Sequence, residues 1–161
     1  MSTMVVQAHP LDDSYNAALL ASVCSGLDSR GDDYVTFRLG EGERPAPDTL
    51  VGVDRLVLVY PTWNSGQPAM LLDWLQEMLA ARAFSSVAHL QIATTHGSSK
   101  LVNSLQGSWG KRFLGDRVLA ACKPDASFGW HSLYKIDRRT LDETTTFLQE
   151  TTNYFSTRAS R

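Results

Sequence analysis

The chain has 161 residues, 43% of them hydrophobic and 20% charged, which fits one globular domain with an ordinary core. Its formal charge of −2 argues against a sequence-independent nucleic-acid binder, which needs a clear basic surplus. No segment approaches 18 consecutive apolar residues and no basic leader precedes one, so no membrane insertion and a cytoplasmic location are expected. Thr3–Ala8 reads as a first strand, and 16–27 places Leu19, Leu20, Val23, Cys24 and Leu27 at helical spacing. Tyr34–Leu39 alternates as a second strand, and 40–48 is a Gly- and Pro-bearing loop. The run Leu56-Val57-Leu58-Val59 marks 55–60 as a central parallel strand, followed by a helix over 68–82 with Pro68 at its first turn. A fourth strand covers 87–94. Beyond it Trp109, Phe113, Val118 and Cys122 would share a helix face that Gly115 weakens. A fifth strand covers 128–136. A closing helix over 140–155 carries Leu141, Phe147, Leu148 and Phe155, with a Thr-rich middle that must rely on packing.

Five strands alternating with helices are the complement of a doubly wound, flavodoxin-like α/β fold with a five-stranded parallel sheet of order 2-1-3-4-5. Ligands of such sheets bind at the carboxyl ends of the strands, here the first, third and fourth. Cys24 and Cys122 form no metal-spacing motif and read as buried free thiols, and no metal is expected.

Three loops meet at that edge. The first, from Ala8 to Asn16, runs from strand to helix, so unpaired backbone N–H groups and a positive helix end favour a phosphate. Ser14, Asn16 and His9 add side-chain donors, and Asp12 and Asp13 are expected to face solvent. The same residues also read as a plain helix cap beside a surface histidine. The second loop, from Tyr60 to Pro68, sets Trp63 beside Asn64, Ser65 and Gly66, offering a flat stacking face amid polar groups. The third, from Thr94 to Lys100, combines small polar residues with Gly97, which permits close backbone approach. His131 and Tyr134 could face a site, although a histidine on a strand is more often structural. Lys135, Arg138 and Arg139 read as a solvated helix entry.

The run Ala8-His9-Pro10, then Ser14-Tyr15-Asn16 and an apolar helix, resembles the opening of the NAD(P)H:quinone oxidoreductase family with a flavodoxin-like fold. The stretch from Leu56 to Trp74 resembles that family's central block, and Thr94-Thr95 with Gly97 resembles its T-T-G-G turn. The resemblance implies an FMN-dependent enzyme, with FMN favoured over FAD because the short chain leaves little room for an adenosine-binding extension. His9, Ser14, Tyr15 and Asn16 would then hold the phosphate and ribityl chain; Pro61, Thr62, Trp63 and Asn64 the ring; Thr94, Thr95, His96 and Gly97 its pyrimidine side. NAD(P)H would be the co-substrate and a small quinone-like molecule the acceptor, in a ping-pong cycle within a homodimer. Azo, nitro or ferric acceptors and a flavin- or nucleotide-binding ancillary subunit are the alternatives. His96 replaces a family glycine and is expected to crowd the ring or substrate slot. Trp109, Phe128, Trp130 and Tyr134 exceed what an edge strand needs for its own core, which points to a dimer face.

Overall fold

The runs read as strands pair into one parallel sheet of β1 (Thr3–Ala8), β2 (Tyr34–Leu39), β3 (Arg55–Thr62), β4 (His89–His96) and β5 (Ser127–Tyr134), in the order β2-β1-β3-β4-β5. This arrangement comes from a computed structural model that describes residues 2–11, 13–40, 44–63, 65–105 and 107–157. β1, β3 and β4 are buried along nearly their whole length, and the central β3 accordingly reads as an apolar run, whereas the edge strand β2 is largely exposed.

The sheet separates two cores. On one face Leu56, Leu58, Tyr60, Leu90 and Ile92 meet Leu71, Trp74, Leu75 and Met78 of α2 (Ala69–Ala80), with Leu114 and Val118 beyond. On the other, Val5, Val57, Val59 and Ala93 meet α1 (Tyr15–Arg30) and a C-terminal helix, Leu141–Ser156. Ser14 caps α1 in extended backbone, its hydroxyl accepting the Ala17 N–H at 3.3 Å. Gly31, at φ 70°, lets the chain leave, with the Asp32 N–H returning to the Leu27 carbonyl at 3.1 Å.

The C-terminal helix opens with a capping box. Thr140 Oγ1 accepts the Glu143 N–H, and the Glu143 carboxylate accepts the Thr140 N–H and an Arg139 contact at 2.7 Å. Arg139 is exposed at this helix entry, as its charge pattern suggests, and adds to the cap. The threonines in the middle of this helix are also placed: Thr151 Oγ1 donates to the Phe147 carbonyl, and Thr152 Oγ1 donates across to the Ser22 carbonyl of α1.

Several boundaries differ from the sequence reading. β3 runs on to Thr62. β4 begins at His89, because Val87 is folded back with its N–H on the Phe84 carbonyl at 2.9 Å. β5 ends at Tyr134, since Lys135 adopts φ 59° and throws Ile136 into a short 3-10 turn, Ile136–Arg138. The uncertain stretch after β4 is not one helix. It is α3 (Lys100–Leu105), α4 (Trp109–Phe113), a π-helical turn (Leu114–Val118) and a 3-10 turn (Leu119–Ala121). The helix Leu141–Ser156 is α5. Phe113, Val118 and Cys122 turn to the core, but Trp109 remains 48% exposed. Both cysteines are free, as expected, and partly rather than completely buried. Among the described residues no helix is long and apolar enough to cross a membrane.

Contact between α1 and α5 is close enough to require a glycine at position 26. A Cβ there would lie 2.6 Å from the Thr152 carbonyl oxygen and 2.7 Å from Phe155 Cβ. Alanine gains about 1 kcal/mol of helix propensity over glycine, but overpacking of this kind costs about 1–3 kcal/mol. Gly26→Ala is expected to lower the midpoint of urea unfolding. A midpoint at or above the parent's would show that the two helices can separate without loss.

Candidate functional site

The chain leaves β1 into α1 on one face and leaves the neighbouring β3 into α2 on the other, so the two connections part and open a crevice at the carboxyl edge. A cleft of about 700 Å³ lies there. Its first wall is the start of α1: His9, Ser14, Tyr15 and Asn16. The Ala17 and Ala18 N–H groups turn back to Ser14, whereas those of Tyr15 and Asn16 at the helix start have no partner within the helix, and this turn contains no acidic side chain to occupy them. Asp13 is exposed, and Asp12 lies outside the described residues.

The four side chains of that wall behave differently. Asn16 is 5% exposed and its Oδ1 is buried with no hydrogen-bond partner. A buried carbonyl oxygen in that condition takes a donor from ordered water or from a ligand hydroxyl or N–H. His9 Nδ1 lies 3.0 Å from both the N–H and the carbonyl of Leu11. When Nδ1 accepts that N–H, Nε2 carries the proton and is a donor. Ser14 donates to the Leu11 carbonyl at 3.2 Å. Tyr15 is committed elsewhere: its hydroxyl donates to the Thr144 carbonyl of α5 at 2.8 Å, and burial pushes its pKa up to about 12. The expected ligand contact from Tyr15 is therefore confined to its ring and backbone.

The second wall is the turn after β3. Pro61, Thr62, Trp63 and Ser65 line the cleft, and Asn64 lies outside the described residues. Trp63 and Gly66 exchange backbone hydrogen bonds of 3.1 and 2.9 Å, closing the turn, with Ser65 at φ 62°. Trp63 stays 47% exposed, its ring 6.3 Å from that of His9. A fixed turn thus presents a flat aromatic face to the cleft.

The third loop contributes Thr95, Gly97 and Ser98, but the expected neighbours Thr94 and His96 are not cleft-lining. Side chains on a strand alternate between faces, and in β4 the even positions belong to the α2 side. Thr94 is buried with its hydroxyl 2.9 Å from that of Thr62. His96 is buried and stacked on Tyr134, ring centroids 4.3 Å apart. With Tyr60, Trp130 and Tyr134 it borders a separate space of only about 20 Å³. The histidine that replaces a glycine of the family turn therefore lies beneath the loop rather than across the cleft.

Two lining residues escaped the sequence reading, Ile136 and Asp137. They reach the cleft because β5 stops at Tyr134, and the Lys135 N–H then bonds the Ser98 carbonyl at 3.1 Å. A Cβ on Gly97 would sit 2.9 Å from Asp137 Oδ2, so the missing side chain at 97 makes room for that carboxylate. The only foretaste was the charged run after the fifth strand, which composition alone assigns to solvent. His131 is structural: its Nε2 is 2.9 Å from Thr151 Oγ1, and its ring is parallel to Phe147 at 4.5 Å. Of the four aromatics expected on a dimer face, Phe128 and Trp130 pack against the α2-side core, Tyr134 stacks on His96, and only Trp109 is half exposed. Among the described residues no group of His, Cys, Asp and Glu could hold a metal.

The family model described as "Flavodoxin-like fold" matches residues 1–159. No curated protein matches the sequence. Among solved structures, Smu.1420 from Streptococcus mutans UA159 superposes at a TM-score of 0.83 with 20% identity, over 97% of this chain and 99% of that one. An NAD(P)H:quinone oxidoreductase from Methanothermobacter marburgensis gives 0.76 with 16% identity, over 97% and 96%. An FMN-dependent NADH-azoreductase from Bacillus anthracis str. Ames Ancestor, in complex with FMN, gives 0.74 with 11% identity, over 96% and 97%.

The placement of His131 has a measurable consequence. Burial holds its pKa below the ordinary imidazole value, so below about pH 6.5 the unfolded chain takes up a proton that the folded chain resists. The neutral ring's contribution is complete above that pH and is lost as pH falls through it. His89 shifts in the same direction, also through burial. Urea midpoints are expected to fall between pH 7 and pH 5, with a shallower fall in His131→Gln. An unchanged slope in that variant contradicts the assignment.

Proposed function

Because the chain belongs to the flavodoxin-like fold family, we propose that its cleft holds FMN and that the protein is an NAD(P)H oxidoreductase passing two electrons to a quinone-like acceptor. The observation that carries this reading is a capped helix start without acidic residues, with the unpartnered Asn16 amide, in one cleft with the exposed face of Trp63. A phosphate suits the first group and a planar ring the second. FMN suits the cleft better than FAD, since the three loops account for a phosphate, a polyol and a ring.

The residues have separable tasks. The Tyr15 and Asn16 backbone amides at the start of α1 and the His9 imidazole bind the phosphate, joined by the Ser14 hydroxyl once it turns from the Leu11 carbonyl; the Asn16 side chain meets the polyol beneath it. Pro61, Thr62 and Trp63 wall one side of the ring, and Thr95 with the close-approach Gly97 edges it. Bound FMN supplies the two-electron chemistry when present. The Trp63–Gly66 backbone hydrogen bonds keep the wall in place. The open side admits one planar molecule at a time, so reductant and acceptor alternate. Quinone reductases and azoreductases are both among the structural neighbours, and both acceptor classes are planar and conjugated. A homodimer is part of this reading, with the open side of the cleft near the second subunit.

Titration with FMN, followed by quenching of flavin fluorescence, is expected to saturate in the micromolar range. A hydrogen bond to a charged group contributes about 1.5–3 kcal/mol and a neutral one about 0.5–1.5, so His9→Ala should weaken FMN by roughly ten- to a hundredfold and Asn16→Ala by roughly two- to tenfold. Turnover of the loaded protein with NAD(P)H and a simple quinone should give parallel double-reciprocal lines. Parent-like FMN affinity in both variants would reduce the first loop to a helix cap and remove the proposal.

A further inference from the structure

Beside the cleft, and outside it, lies a groove of about 470 Å³ bordered by Gly107, Trp109, Arg112, Phe113, Asp116 and Arg117. Trp109 is its floor. The indole is pinned against Gly66, where a Cβ would come within 2.8 Å of the ring, and is stacked on Phe113 with centroids 5.7 Å apart and planes 23° apart. It nevertheless keeps 48% of its surface exposed. An aromatic held rigidly and left open is a preorganised stacking platform.

The charges are brought together by backbone geometry. In a regular α-helix, residues five apart are rotated by about 140° and lie on different faces. Here the Leu119 N–H reaches the Leu114 carbonyl five residues back, the signature of a π turn. Widening the helix at Leu114–Val118 swings Arg117 round to the wall occupied by Arg112. Among the described residues, neither guanidinium takes part in an ion pair, whereas Arg30, Arg44, Arg55 and Arg139 all do. Asp116, the one carboxylate on the wall, offsets one of the two charges and leaves the groove net positive. Lys111 points away, its ammonium 5.2 Å from the centre of the Trp130 ring.

We propose that this groove binds the phosphorylated adenosine of NADPH, with the adenine stacked on Trp109 and the 2′-phosphate held by Arg112 and Arg117. Guanidinium groups match phosphate oxygens in a bidentate fashion, and aromatic faces accept purines. The groove adjoins the Trp63–Gly66 turn through Trp109, not the start of α1 where the FMN phosphate is placed, so it serves the reductant rather than an adenosine tail of the flavin. The assignment rests on the reading of NAD(P)H as reductant and adds to it a preference for NADPH over NADH.

The test uses the full-length protein with adenosine 2′,5′-bisphosphate as probe, in calorimetry, alongside steady-state kinetics with both nucleotides after FMN loading. The parent should bind the bisphosphate more tightly than 5′-AMP. Arg112→Gln and Arg117→Gln should each weaken the bisphosphate by about tenfold and lower the NADPH-over-NADH ratio of kcat/KM by a similar factor. Trp109→Ala should weaken both adenosine ligands, and thermal melts of all three variants check folding. If neither nucleotide supports turnover but bisphosphate binding falls in the Arg variants, the oxidoreductase reading fails while the groove stands as a site for phosphorylated adenosine. A parent that oxidises NADPH with a ratio that the Arg variants do not change overturns the groove and leaves the oxidoreductase reading intact. Bisphosphate binding that depends on Arg112 and Arg117, in a parent with no preference for NADPH, assigns the groove to a free nucleotide and overturns its role toward the reductant.

Discussion

Pairing of β1 with β3, with β2 on the other side of β1, is the constraint on which the remaining structure depends. It forces the connections after β1 and β3 to opposite faces, because a right-handed crossover packs back onto the sheet in only one way. α1 and α2 are thereby parted, and the N-terminus of α1 is left facing the end of β3. The contact of α1 with α5 through Gly26 fixes how closely the two helices lie side by side, and Tyr15 ties the first turn of α1 to Thr144. The cleft is a consequence of topology before any individual side chain is considered.

The pleat then decides which residues of each loop can use the cleft. Thr95 and, just past the end of β4, Gly97 line the cleft, whereas Thr94 and His96 turn to the other side of the strand. A short motif such as Thr94-Thr95-His96-Gly97 therefore cannot act as a unit. Half of it faces the cleft, and the other half ties neighbouring strands together by pairing Thr94 with Thr62 and stacking His96 on Tyr134. Where a glycine of the related turn is replaced by histidine, the ring enters space under the loop and leaves the cleft open.

The strands and their order were legible because β1, β3 and β4 are covered on both faces, which in the central β3 demands the unbroken apolar run Leu56–Val59. Ser14 and Asn16 were legible because a helix start announces its own unpaired donors. The end of β5 was not, since nothing in the composition of Lys135 signals a left-handed backbone, and Asp137 was lost to the cleft as a result. The π turn was hidden for a related reason. Gly115 was visible as a weak point in a helix, but which neighbour the chain would choose for its hydrogen bond depends on burying both Leu114 and Val118. Tyr15 illustrates a third kind of loss: its hydroxyl partner lies on a helix 129 residues away, beyond any local pattern.

The central claim is that one cleft receives the phosphate of FMN at the start of α1 and its ring against Trp63. The most direct measurement is an amide and indole 1H–15N spectrum of the full-length protein, recorded during titration with FMN. The account predicts that the Tyr15 and Asn16 amides, the Trp63 indole, and the Thr95 and Gly97 amides move together with a single affinity, while the Trp74 indole, hydrogen-bonded to the Pro45 carbonyl at 2.9 Å in the α2-side core, stays in place. Saturation that moves none of the α1 amides, or that moves them without the Trp63 indole, would contradict it.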